Sequence, residues 1–157
     1  MVKKTRLEVY WEIEEIMKEP HKIILPSNII YNIRKSDGKK SNFTVNMNSY
    51  RQHGACFFVM NKVKQLFHEQ VKEQIEKLPQ LQYPIRCKYT VYTKTKRLFD
   101  VNNVCAVADK YFMDALVEFG KLPDDNYEYY LGFAECSFGG ISKDNPRIEV
   151  EIYENCK

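Results

Sequence analysis

Glycine is sparse in this chain, with 6 in 157 residues. No low-complexity linker or internal repeat interrupts it, so a solenoid or a disordered tether is not expected. No CxxC pair occurs among the five cysteines, Cys56, Cys87, Cys105, Cys136 and Cys156, and their number is odd. Reduced thiols in a cytosolic protein are therefore expected, not a disulfide framework. The three histidines are isolated, without HxxxH or HxH spacing, which argues against a zinc site. No apolar run is long enough to span a bilayer. The opening residues soon reach Glu8, Glu12, Glu14 and Glu15, which does not suit a signal peptide.

What is present describes a folded domain. Hydrophobic residues make up 44% and aromatic residues 13%, far from a disordered composition. The abundance of Tyr and Phe, 11 and 9, points to substantial β content. The length suits one domain with a single core. The formal charge is +3 and its distribution is uneven. Lys35, Lys39 and Lys40 form one basic cluster, and Lys94, Lys96 and Arg97 form another. Each is either a solvated loop or a surface that meets phosphate by displacing counterions.

Periodicity supplies the elements. Thr5 to Glu8 reads as a capping box for a helix ending before Pro20, although Leu7, Val9, Trp11 and Ile13 also alternate as in a strand. Residues 23–33 are apolar and β-branched, broken by Pro26. Ser36-Asp37-Gly38-Lys39 supplies a turn, and residues 43–48 read as the next strand. Asn61 can cap a helix running to Leu78, with Val63, Leu66, Phe67, Val71, Ile75 and Leu78 on one face. Ile85, Cys87, Tyr89 and Val91 alternate with polar partners in a half-buried strand. A second helix starts near Asn102 or Asn103 and ends at Gly120. Residues 127–138 read as a strand, 139–146 as a loop, and Ile148, Val150 and Ile152 as a last alternating strand. The order predicts an α+β fold, a mixed sheet covered on one face by two main helices.

Carboxylates flank the second helix: Asp100 before it, Asp124 and Asp125 after it. With basic residues beside them, they suit metal-assisted phosphodiester hydrolysis, because Mg²⁺ is a hard ion that takes one or two carboxylates and keeps several waters. The bland alternative is that Asp100 caps the helix and Asp124-Asp125-Asn126 is only a turn. Lys110 and Asp114 are four apart. They are either a surface ion pair, worth about 0.3–0.5 kcal/mol, or a lysine aimed at a scissile phosphate.

The stretches "KTKRLFDVNN" and "DKYFMDALVEFGKLPDDN" resemble the RusA family of Holliday-junction resolvases. That family carries a basic run, Asp-x-Asp-Asn, a helix with a lysine and Asp-Ala-Leu, then Gly and an Asp-Asp turn. "NFTVNMNSYR" is similar to its first strand and following loop, and "SKDNPRIEVEIYE" to its closing strand. The resemblance covers about residues 43–154. It implies a resolvase domain over 43–157, with 1–42 as an extension packed on or adjoining it.

The resemblance implies that Asp100, Asn102 and Asp125 are the metal-site positions, with Lys110 as the catalytic lysine. Arg51, Lys94, Lys96 and Arg97 become DNA contacts. It further implies a Mg²⁺-dependent endonuclease, with Mn²⁺ as a substitute, that resolves four-way junctions by paired nicks. The enzyme would be a homodimer in bacterial or phage-infected cytoplasm. Two departures are visible. Asn102 stands where the family has its second Asp, and Lys110 lies about one helical turn further along. Asn102 favours a second reading, a weak or inactive branched-DNA-binding protein that kept the fold. A third is an interaction domain whose acids only cap and turn.

Overall fold

The structure, a computed structural model, describes residues 19–33, 36–53 and 56–156. The apolar stretch near the start divides into β1 (His21–Pro26) and β2 (Asn28–Asn32). Pro26 has no N–H to offer a ladder, so it closes β1. The chain then changes sheet. β2 pairs antiparallel with β3 (Lys40–Thr44) around the expected turn, where Asp37 accepts from the Lys39 N–H (3.2 Å) and Gly38 has φ +63°.

The main sheet contains β1, β4 (Ile85–Thr93), β5 (Tyr130–Ile141) and β6 (Arg147–Tyr153), in the order β1-β6-β4-β5. β6 runs antiparallel to both β1 and β4, whereas β4 and β5 are parallel. A parallel pair needs a crossover. Here it is helix α3 (Val101–Glu118), which follows α1 (Met47–His53) and α2 (Phe57–Glu76).

Period-two burial decides which face the helices cover. Ile23 and Leu25 of β1, Ile85, Cys87, Tyr89 and Val91 of β4, and Ile148, Val150 and Ile152 of β6 are all buried. Val63, Phe67, Val71 and Ile75 of α2 and Ala108, Phe112, Ala115 and Leu116 of α3 close over them. The opposite face carries ion pairs such as Lys88–Glu135 (3.1 Å). The architecture is therefore the expected α+β domain with a mixed sheet covered on one face.

Polar contacts lock α2 to α3. Lys64 meets Asp114 at 2.6 Å. The buried His68 ring bonds the Tyr111 carbonyl through Nε2 (3.1 Å) and the Glu118 carboxylate through Nδ1. Among the described residues, no helix is long and apolar enough to cross a membrane.

Several expectations change. A third, short helix joins the two main ones among the described residues. Residues 47–53 form α1 where a strand was read through Asn48. Asn46 ends the strand pattern, because its side chain accepts from the Ser49 N–H (2.8 Å) and its carbonyl from the Tyr50 N–H (3.0 Å), as a helix cap does. α2 begins at Phe57, ahead of Asn61, and Cys56 before it makes no side-chain cap bond, so no capping residue marks that start.

β5 continues through Gly139. A Cβ there would lie 2.6 Å from Thr90 Cγ2 and 2.7 Å from Tyr92 Cζ, so only glycine lets the strands close. Residues 21–32 belong to the two sheets, so the boundary at 42/43 falls within the β2–β3 hairpin. Cys105 and Cys136 are joined as a disulfide, in place of the reduced thiols expected there. The helix or strand read over Thr5–Glu19 lies almost wholly outside the described residues, as does Lys35.

Candidate functional site

Asp100 is the N-cap of α3, its side chain accepting from the Asn102 N–H at 3.0 Å. This end of the helix meets the carboxyl end of β4, where parallel strands and their crossover helix commonly leave a ligand crevice. A cleft of about 580 Å³ opens there. Lys94, Arg97, Phe99, Asp100 and Asn103 form one wall. Asn46, Asn48, Ser49 and Gln52, from the β3–α1 corner, form another, and Ser27, Asn28 and Pro146 close the side. Tyr92 supports the wall. Its ring packs against Gly139 and takes the Arg147 guanidinium at 4.1 Å.

Among the described residues, the charged groups that line the cleft are Lys94 and Arg97 against Asp100. Neither cation makes an ion pair among the described residues. Lys96 lies exposed in the same loop but does not line the cleft, and Leu98 is 96% exposed. Arg51 is exposed on α1, next to the lining residue Gln52.

The other expected site residues stand elsewhere. Cys105 meets Cys136, and further along α3 Asp109 meets Tyr130, so the helix runs back along β5. Its 18 residues make it about 27 Å long. Asp100 lies before one end, and Asp125 follows the other, in a turn where Asp124 accepts from the Asp125 N–H (2.8 Å) and the Asn126 amide (2.9 Å). These bonds hold the Asp124 carboxyl below its ordinary range. Lys110 is exposed, about 15 Å along the helix from Asp100. Asp114 is paired with Lys64 and not with Lys110.

Asp100 and Asn102 therefore lie at one helix end, but of the expected site residues Asn102, Lys110 and Asp125 do not line the cleft. Asp125 stands near Asp109, whose carboxyl its charge helps to raise, and not in the cleft that Asp100 lines. Among the described residues, no three His, Cys, Asp or Glu side chains group as a metal site.

One acidic centre was not read from the sequence. Asp109 accepts hydrogen bonds from the Tyr89 hydroxyl (2.7 Å) and from the Tyr130 hydroxyl. Burial pushes its carboxyl up, the two tyrosine bonds oppose this, and the nearby charge of Asp125 adds to the rise. Burial likewise raises both tyrosines and the adjacent Cys87 thiol. The only local signal was an acid on the inward stripe of α3, between Ala108 and Phe112. The amides of the cleft were also missed, because they come from separate elements.

In comparisons with known proteins, the chain matches no family model and no curated protein.

Proposed function

We propose that this chain is a Mg²⁺-dependent, structure-selective endodeoxyribonuclease that resolves four-way DNA junctions by paired nicks. The observation that carries the reading is the cleft at the head of α3, where Lys94 and Arg97, free of ion pairs among the described residues, stand beside Asp100. Cations of this kind hold the DNA backbone. An exposed carboxylate beside them would repel phosphate unless it served another purpose, and a hard cation is the partner that suits it. Lys96 and Arg51 extend the basic surface on either side.

Competition gel shifts and incubation of a labelled four-way junction with and without Mg²⁺ or Mn²⁺ test the proposal. The junction should be retained over linear duplex, and nicks should appear only with metal. Binding should weaken with salt. Lys94→Ala and Arg97→Ala should each reduce the log–log salt slope by about one. Equal affinity for linear and branched DNA would count against a resolvase-like role.

The amide at Asn102 and the place of Asp125 outside the cleft favour a second reading: a branched-DNA-binding protein of weak or no activity. Selective binding without metal-dependent nicks would establish it.

A homodimer is part of the proposal, since paired nicks require two sites related by a two-fold axis. β5 is an edge strand exposing Phe133, Phe138 and Ile141, the kind of edge that pairs with another chain. Light scattering at micromolar concentration should give the mass of two chains. A monomer with cleavage intact would remove the paired-nick mechanism.

A further inference from the structure

Three amides line the cleft with no side-chain hydrogen bond among the described residues: Asn48 and Gln52 on α1 and Asn103 on α3. Their neighbours differ. Asn28 is tied to Ser27 (3.1 Å) and Asn42 (3.3 Å), and Asn46 caps α1. A phosphate needs donors only, which Lys94 and Arg97 supply. A carboxamide offers a donor and an acceptor in one plane, which is the pattern along the edge of a nucleobase.

The shape narrows the ligand. A cleft of about 580 Å³ is the size of a small-ligand site and is concave. A concave surface cannot enter the groove of a duplex, where paired bases keep their edges. The base has to leave the stack and come to the cleft, as unpaired nucleotides do when proteins read them. Phe99 lines the same cavity, its ring 5.8 Å from Phe138 and nearly edge-on to it, and gives a base a surface to stack on.

We propose that the cleft holds one unstacked nucleotide and reads its base through Asn48, Gln52 and Asn103, with Lys94 and Arg97 on the adjoining phosphates. This rests on the proposed function only in taking DNA as the ligand. Asn48, Gln52 and Asn103 are then specificity-determining residues.

Fluorescence anisotropy on the full chain, without divalent metal, tests it. The probes are short labelled single strands of deoxyadenosine, deoxycytidine or thymidine, and an abasic sugar-phosphate strand of equal length. The abasic strand should bind about tenfold more weakly than the best homopolymer, and the homopolymers should differ among themselves by roughly fivefold. The Asn48→Ala/Gln52→Ala variant should collapse that spread to within about twofold. Gln52→Glu exchanges the donor for a second acceptor in a side chain of the same shape, and should reorder the homopolymers. Equal affinity for abasic and base-bearing strands overturns the inference, as does a spread untouched by either variant. Junction cleavage alongside base-blind binding overturns this inference while leaving the nuclease reading. Base-dependent binding by a chain that cuts nothing supports the inference and removes that reading.

Discussion

Asp100→Asn should abolish junction cleavage and leave junction binding in place. Among the described residues, Asp100 is the only carboxylate that lines the cleft with Lys94 and Arg97. Replacing it with an amide keeps the side chain's size and its capping oxygen, so the Asn102 N–H retains its acceptor. The melting temperature should stay close to the parent's. What is removed is negative charge where a hard cation would be held. Losing several kcal/mol of charge stabilisation corresponds to a fall in rate of roughly 100-fold or more. Binding can even tighten, because phosphate then meets two cations unopposed.

Asn102→Asp works in the opposite direction. It adds a charge two residues after Asp100 at the same helix end and should lower the Mg²⁺ concentration needed for cleavage. Metal titrations of parent, Asp100→Asn, Asn102→Asp and Asp125→Asn on one labelled junction compare all four. If Asp100→Asn cuts as fast as the parent, the cleft is not the active site. If Asp125→Asn does so, Asp125 has no part in it. If the parent is inactive and Asn102→Asp gains activity, the second reading, a branched-DNA binder of weak or no activity, is the right one.

Asp109→Leu should cost about 2–6 kcal/mol of stability. Two buried hydroxyls, on Tyr89 and Tyr130, donate to this one carboxylate. Leucine leaves both without an acceptor, and each orphaned donor costs about 1–3 kcal/mol. Asp109→Asn keeps an acceptor oxygen and separates charge from hydrogen bonding.

The sign of the pH dependence follows from the direction of the shift. Burial raises the folded-state pKa of Asp109 above the ordinary 3.8, so the folded protein holds this proton more tightly than the unfolded chain. Its contribution to stability is fully present below 3.8 and is lost as pH rises through the higher folded value. Above that value the buried charge is a fixed penalty. Asp109→Asn should therefore melt above the parent at neutral pH, and the advantage should disappear in acid. Thermal melts across that range check it. An Asp109→Asn variant less stable than the parent at neutral pH would mean that the charge strengthens the tyrosine bonds by more than burial costs.

Asp100, Asn102 and Gly120 were legible because capping and termination are local. The cap, the first turn and the C-terminal glycine (φ +71°) all lie within a few residues of the helix they bound. Strands β4 and β6 were legible for a similar reason, since burial on one face forces alternation along the chain itself. α1 was less so, because one Asx cap outweighed an apparently continuous strand pattern.

Other features depended on contacts between segments far apart in sequence. The order β1-β6-β4-β5 and the return of α3 along β5 bring Asp125 near Asp109 and leave it out of the cleft that Asp100 lines. The same topology pairs Asp114 with Lys64, joins Cys105 to Cys136 and sets the half-buried Asp109 against two tyrosines. It also brings the β3–α1 corner against the loop after β4, which makes the cleft. Spacing along the chain determines which residues share a helix face or a strand face. Which faces then meet is decided by the packing of the sheet and its crossover, and no local pattern encodes that.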